Sequence, residues 1–173
     1  GSSCYGSGGG IYVASGTVTI ETSAIYFNAA SPGGGIYVSG SSTVVTITSS
    51  NIYENTAISN SYGPGGGIYV NGGTVAIGTC TLYSNAANLG GGIYIAGASS
   101  VTITSSSIYY NTASCGSSCY GSGGGIYVAS GTVAIGTCAI YSNIASGGGG
   151  ISVLLPWHSY GSTAVCTWES NIT

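Results

Sequence analysis

The sequence contains no lysine, arginine or methionine, and its three acidic residues give a net charge of −3 over 173 residues. Proteins that bind nucleic acid or anionic lipid neutralise phosphate groups with Lys and Arg, so we expect neither partner. No apolar run approaches the roughly 20 residues of a membrane-spanning helix, and we expect no membrane insertion. A charged fraction of 2% lies far below that of ordinary globular domains and favours a fibrous architecture.

Aspartate is also absent, and many hydrolytic and calcium-binding sites depend on it. The three carboxylates, Glu21, Glu54 and Glu169, occupy different positions of the internal repeat, so no two of them form an evident acid–base pair. His158 has no acidic neighbour to orient its ring. We therefore predict that the protein is not an enzyme and that it needs no cofactor or metal.

Glycine is abundant instead, and most of it belongs to a repeated motif that begins GGGI. The motif starts at Gly8, Gly33, Gly65, Gly90, Gly123 and Gly148. Its Ile recurs at spacings of 25, 32, 25, 33 and 25 residues, so a short and a long copy alternate. We expect one solenoid over residues 1–173 with double units of approximately 1–57, 58–115 and 116–173, part of a longer repeat array or filament.

Residues 1–20 recur at 116–135 with a single change, from Thr19 to Ala134. A V-x-I segment follows the GGGI motif in the first five copies, and Thr167 replaces its Ile in the sixth. In all six copies an aliphatic residue lies seven positions after the Val of this segment. The length varies only between these landmarks, as it does when insertions are confined to loops outside a fixed cross-section.

Each copy supplies three short segments in which apolar and polar residues alternate and β-branched or aromatic residues predominate. Ile11 and Val13 are predicted to point inward and Tyr12 outward, because side chains alternate along a strand. Three short strands in each turn of about 25 residues describe one coil of a parallel β-helix. We predict an all-β, right-handed parallel β-helix of about five and a half to six coils, without helices.

Like residues should stack in columns along such a solenoid. An Asn column at a turn would pair its side-chain amides from coil to coil, and Asn tolerates the left-handed backbone that a turn requires. Its members are Asn28, Asn55, Asn85, Asn111 and Asn143. Two outward aromatic columns are predicted, the first with Tyr12, Tyr37, Tyr69, Tyr94 and Tyr127, the second with Tyr26, Tyr53, Tyr83, Tyr109 and Tyr141.

Six cysteines in a chain rich in Ser and Thr fit an oxidising, extracellular setting. Cys115 and Cys119 lie in one loop and form a possible disulfide. Cys80 and Cys138 share a column two coils apart, about 9.6 Å by the strand spacing, so we predict free thiols there. Asn171 begins the N-x-S/T sequon of the chain and is a candidate for glycosylation.

The GGGI and IYxN elements resemble the short GGA(I/V/L) and FxxN motifs of polymorphic outer-membrane and autotransporter-type proteins. These are right-handed parallel β-helix repeat proteins of cell surfaces. Here Tyr stands near the position of the Phe of that motif. The resemblance covers nearly the whole chain and implies the same fold and a cell-surface location.

The expected function is that of a non-catalytic structural building block of an extracellular or cell-surface filament. Its partners would be further copies of the chain, stacked head to tail, and attached glycan. The alternative is a surface adhesin or glycan-binding module that uses the outward Tyr columns. The two columns are interpreted in two ways, as ladders that stabilise the sheet and as an aromatic surface for a partner.

Overall fold

The computed structural model describes residues 6–57, 59, 62–115 and 121–154. Every regular element in these ranges is a β-strand, and none of them is a helix of membrane-spanning length and hydropathy. The strands form three parallel sheets that wind around one core, so the predicted all-β parallel β-helix is confirmed.

The first sheet contains the GGGI and V-x-I segments of each coil. Its strands are β1 (Ile11–Val13), β2 (Thr17–Glu21), β4 (Ile36–Ser39), β5 (Val44–Thr48), β8 (Ile68–Gly78), β11 (Ile93–Thr104), β14 (Ile126–Val128), β15 (Thr132–Gly136) and β18 (Ile151–Val153). The second sheet comprises β3 (Ala24–Tyr26), β6 (Asn51–Tyr53), β9 (Thr81–Tyr83), β12 (Ser107–Tyr109) and β16 (Ala139–Tyr141). The third comprises β7 (Thr56–Ala57), β10 (Ala86–Ala87), β13 (Thr112–Ala113) and β17 (Ile144–Ala145).

This division differs from the predicted three strands per coil. The first two predicted segments share one sheet and become a single strand in β8 and β11. The third sheet consists of two-residue strands that follow the Asn column. Such short strands carry too little alternation to be recognised in a sequence.

The strands of successive coils pair so that each residue lies beside the equivalent residue of the next coil. Ile11 pairs with Ile36, and Ile36 pairs with Ile68 in the next coil. The inward Ile, Val and Leu side chains of the inner coils are almost completely buried and form one continuous core. Each contributes about 1.5–3 kcal/mol on burial, so the repeat stabilises itself without a second layer.

The GGG turn returns the chain from the third sheet to the first. The first glycine of the turn is needed for its backbone conformation, and the other two are needed because a side chain would not fit. Gly90 has φ +62°, a backbone conformation that L-residues rarely adopt. A Cβ on Gly91 would lie 2.5 Å from the carbonyl oxygen of Thr112, and one on Gly92 would lie 3.2 Å from the Asn111 amide carbon. The coils therefore pack backbone against backbone at this corner.

The other two corners use left-handed residues that are not glycine. One column directly follows the first sheet and consists of Thr22, Ser49, Thr79, Ser105 and Thr137. The other directly precedes the Asn column and consists of Phe27, Glu54, Ser84, Tyr110 and Ser142. Their φ angles lie between 49° and 54°. The expectation that Asn itself takes the left-handed conformation is wrong, because the residue before it turns the chain.

Candidate functional site

The Asn column forms a hydrogen-bonded ladder inside the solenoid. Nδ2 of Asn55 donates to Oδ1 of Asn85 over 3.0 Å, and Nδ2 of Asn85 donates to Oδ1 of Asn111 over 2.9 Å. The same links join Asn28 to Asn55 and Asn111 to Asn143. Except at Asn28, the first member, each Oδ1 also accepts the backbone N–H of the preceding Asn in the column. The ladder thus satisfies buried polar groups at a corner, which is a structural role.

A parallel column of small side chains lines the preceding corner. The hydroxyl of Ser106 accepts the backbone N–H of Cys80 over 3.1 Å, and the Ser50 N–H lies against the Cys80 thiol. Cys80 and Cys138 are free, as predicted. Burial raises the pKa of both thiols, which disfavours the reactive thiolate. These cysteines replace serine in a hydrogen-bonded column and are not suited to nucleophilic chemistry.

The first tyrosine column points away from the core, but its later members are not exposed. Tyr12 is 53% exposed, whereas Tyr69, Tyr94 and Tyr127 are 8%, 4% and 9% exposed. These three therefore lie on the side away from the core, as predicted, but other residues cover them and they form no exposed stripe. They form a second apolar cluster, separate from the core, against which Tyr37, Leu89, Ala96 and Ala129 pack.

Tyr62 explains part of this burial. It lies in the longer connection between β7 and β8, and its hydroxyl is hydrogen-bonded to the hydroxyl of Tyr94. Its ring meets the Tyr94 ring edge-on, with centroids 6.0 Å apart. Burial, with smaller effects of Tyr62 and Tyr37, raises the pKa of Tyr69 to about 12, and burial raises the pKa of Tyr94 as well. At neutral pH this cluster is therefore a buried, uncharged layer.

The second tyrosine column is the more accessible one. Its five rings stack almost in parallel, with interplanar angles of 2° to 9° and centroids 4.8–5.3 Å apart. The end rings, Tyr26 and Tyr141, are 47% and 48% exposed, and the three between them are half-buried. Because each inner ring has a neighbour on both sides, the column presents ring edges and hydroxyl groups rather than open ring faces.

Two aromatic residues beside this column were not anticipated. Phe27 and Tyr110 occupy left-handed corner positions and are 74% and 59% exposed. Phe27 packs edge-on against Tyr26, and Tyr110 packs edge-on against Tyr109. Their corner column also contains Glu54, Ser84 and Ser142, so no shared residue type revealed it in the sequence.

A third surface is the cross-section of the first described coil. Ile11 and Val18 are partly exposed there, whereas Ile126 and Val133, in an almost identical stretch, are 0% and 1% exposed. A cavity of about 270 Å³ opens at this cross-section, lined by Gly10, Ile11, Ala24, Ile25, Tyr26 and Asn28. The surface is that of a coil without a neighbour among the described residues.

The remaining candidates do not converge. Glu21 and Glu54 are both exposed, at the ends of different strands. No group of three or more His, Cys, Asp or Glu side chains in the described ranges is placed to hold a metal. Cys115 is disulfide-bonded, and Nδ2 of Asn88 lies 3.6 Å from its sulfur. Cys119, Glu169, His158 and Asn171 lie outside the described residues.

Asn88 is a structural residue that sequence reasoning missed. It is 4% exposed, accepts the backbone N–H of Ser59 through Oδ1 and donates to the carbonyl of Ser114. It therefore ties together the two longer connections of the solenoid. It lies outside the Asn column and has no counterpart in the neighbouring coils, so periodicity gave no sign of it.

Comparison with protein families agrees with this geometry. A family model described as a right handed beta helix region matches residues 1–155. Comparisons with curated proteins and with solved structures gave no match.

Proposed function

The chain belongs to the right-handed β-helix family, and we propose that it is a non-catalytic structural building block of an extracellular or cell-surface filament. In this filament the coils of successive units stack end to end. The finer resemblance to the repeats of polymorphic outer-membrane and autotransporter-type proteins is part of the same proposal.

The observation that carries the proposal is the near identity of two coils in different surroundings. Residues 6–20 and 121–135 differ at one position. In the second copy, β14 lies between β11 and β18 and pairs with both. In the first copy, β1 pairs with β4 on one side only among the described residues. The fifth coil uses these residues to pair with the fourth coil. The first coil has the same residues, but among the described residues no coil pairs with them.

A coil resembling the fourth coil would fit the exposed side of the first. It would bury Ile11 and Val18 to the level seen for Ile126 and Val133. Exposed strand edges and an apolar cross-section favour such an addition. A contact between the two different ends of a unit does not close on itself, so repeating it produces a fibre. In the proposed filament the added coil belongs to a second copy of the chain.

The extracellular location and glycosylation complete the proposal. A chain with 2% charged residues lacks the usual solubilising surface charge, and a neutral glycan would supply hydration in its place. The Cys115 disulfide is typical of an oxidising compartment. Intact mass spectrometry of the native protein tests this part, because a mass of 16.8 kDa without sugar increments would contradict glycosylation.

Electron microscopy and fibre diffraction of the purified chain test the assembly. We expect filaments with an axial repeat of about 4.8 Å, the spacing of stacked strands. Val18→Asp places a charge on the exposed cross-section and should abolish them, whereas Thr19→Asp, on the outward side of the same strand, should not. Circular dichroism establishes that both variants fold. Discrete particles of uniform size from the unmodified chain at every concentration would refute the proposal.

The alternative, a glycan-binding module, is favoured by one observation. Phe27 and Tyr110 expose their rings on the same face, three coils apart, and the absence of Lys and Arg favours a neutral ligand. A glycan array with the Phe27→Ser/Tyr110→Ser variant tests it against a Tyr12→Ser control. Loss of binding in the double variant alone supports the module, and an array without any bound glycan eliminates it.

A further inference from the structure

We propose that the second tyrosine column is a site of oxidative coupling, at which hydrogen peroxide and a haem peroxidase join two copies of the chain through dityrosine bonds. The column is defined by Tyr26, Tyr53, Tyr83, Tyr109 and Tyr141. This inference is independent of filament formation, because it requires only that two copies meet.

The geometry of the stack is the first argument. Five phenol rings follow one another at 4.8–5.3 Å without an interruption across five coils. Parallel stacking keeps neighbouring rings in contact at this distance. A phenoxyl ring can then take one electron from its neighbour while the phenolic proton of that neighbour passes to the phenoxyl oxygen, so the radical moves one ring along the column. A radical formed at any ring therefore reaches Tyr26 and Tyr141, whose rings are about half exposed.

The first column stacks only from the exposed Tyr12 to Tyr69, and its remaining part serves as an internal comparison. Its stack is interrupted between Tyr69 and Tyr94, whose planes meet at 67°, and tilts again by 36° at Tyr127. These three rings are also buried, so neither a peroxidase nor a second copy reaches them. Two columns with the same residue thus differ in the order of their stacking and in their accessibility.

Competing targets on the described surface are few. The chain has no methionine, and neither tryptophan falls within the described residues. Cys80 and Cys138 are shielded in their column and have raised thiol pKa values. Exposed phenols are therefore the most readily oxidised side chains of this surface.

The chemistry balances with peroxide as the oxidant. Two tyrosines each lose one electron and one phenolic proton, and one peroxide molecule takes up both hydrogen atoms as its O–O bond breaks, leaving two waters. The two phenoxyl radicals join through a new carbon–carbon bond between ring positions ortho to oxygen. Each ring then returns its ortho proton to its oxygen, which restores both phenols.

The same geometry favours coupling between copies over coupling within one. An ortho–ortho bond requires two ring edges to meet, whereas neighbours in the column are held face to face with interplanar angles of at most 9°. The accessible edges of Tyr26 and Tyr141 are free to meet those of another molecule. Tyr110, 59% exposed and edge-on to Tyr141 at 6.4 Å, extends this reactive end.

The experiment treats the purified chain with horseradish peroxidase and hydrogen peroxide. Dityrosine fluorescence, denaturing gels and peptide mapping then report the yield and the position of the bonds. We expect covalent dimers linked through Tyr26, Tyr110 and Tyr141. The Val18→Asp variant, which should not form filaments, should give the same dimers, so a failure of assembly is distinguishable from a failure of coupling.

Phenylalanine variants keep the rings and remove the phenols. Tyr26→Phe/Tyr110→Phe/Tyr141→Phe should lower the dityrosine yield severalfold, whereas the buried set Tyr69→Phe/Tyr94→Phe/Tyr127→Phe should leave it unchanged. Tyr83→Phe, at the centre of the column, should also lower the yield because it interrupts radical transfer. No dityrosine in the unmodified chain, equal yields in the two triple variants, an unchanged Tyr83→Phe yield, or bonds mapped to other tyrosines would overturn the proposal.

Discussion

The side-chain amide of Asn85 donates to Oδ1 of Asn111 across 2.9 Å, and the two residues are only 1% and 0% exposed. Asn85 also accepts the backbone N–H of Asn55 over 3.1 Å and donates to the carbonyl of Ile52. One buried side chain thus completes the hydrogen bonding of three neighbours. The corner of the solenoid depends on each member of this ladder being present.

Asn85→Ala should therefore be strongly destabilising. It leaves the Asn55 N–H without a partner in a buried corner and removes the side-chain hydrogen bond to the Ile52 carbonyl, and we expect the free energy of unfolding to fall by about 3 kcal/mol. Asn28→Ala, at the exposed end of the ladder, leaves the Asn55 Oδ1 still paired with the Asn28 backbone N–H and should cost about 1 kcal/mol or less. Urea denaturation followed by circular dichroism compares them, and equal losses would contradict a cooperative ladder.

Gly91→Ala should prevent the GGG turn that contains it from packing against the next coil. Its Cβ would lie 2.5 Å from the Thr112 oxygen and 2.6 Å from the Gly124 oxygen, both of them backbone atoms that cannot move aside. We expect a loss of about 3 kcal/mol or more. Gly136→Ala is the matched control, because the nearest atom to its Cβ would be the Thr104 methyl group at 3.9 Å. If both variants unfold at the same urea concentration, the claim that adjacent coils leave no room for a side chain at Gly91 is wrong.

Thr79→Gly should stabilise the fold, although glycine normally weakens β structure. Thr79 is exposed and has φ +54°, which costs a β-branched residue about 1–2 kcal/mol. Glycine removes that strain at an entropic cost of about 0.5–1 kcal/mol, so a gain of about 0.5 kcal/mol remains. Thr81→Gly, two residues later in β9, should have the opposite sign. A stability decrease in both variants would contradict the predicted strain.

Alkaline pH should weaken the Tyr69 cluster. Burial raises the pKa of Tyr69 to about 12 from a normal value of 10.0, so the folded chain holds this proton more tightly than the unfolded chain. Its stabilising contribution is complete below pH 10 and is lost as the pH rises toward 12. Urea denaturation across this range should show a steeper fall for the unmodified chain than for Tyr69→Phe. Tyr26→Phe, which alters an exposed ring, is the control that should follow the unmodified chain.

The repeat made much of the fold predictable. Ile11, Ile36 and Ile68 could be placed in one inward column because their spacing, together with the alternation around them, left one consistent register. The Asn column followed from the same count. Such reasoning succeeds where every coil repeats the same residue at the same position.

Sequence reasoning failed where the structure depends on contacts between different coils. Alternation assigned Tyr94 correctly to the side away from the core, but alternation carries no information on what covers that side. Tyr62 covers Tyr94 from the connection between β7 and β8, which belongs to a different coil. The left-handed corners were missed for another reason. Phe27, Glu54 and Tyr110 share a backbone conformation that is imposed by the corner and not by their side chains.

The near identity of residues 6–20 and 121–135 also bears on how such a chain changes in length. Duplicating the 115 residues that separate the two copies would join each segment to a neighbour of the same sequence. Every hydrogen bond of the Asn ladder and every tyrosine stack would keep an equivalent partner. Recombination between the two copies in the gene would thus yield longer proteins with the same cross-section, in which each added coil brings its own stacked neighbours.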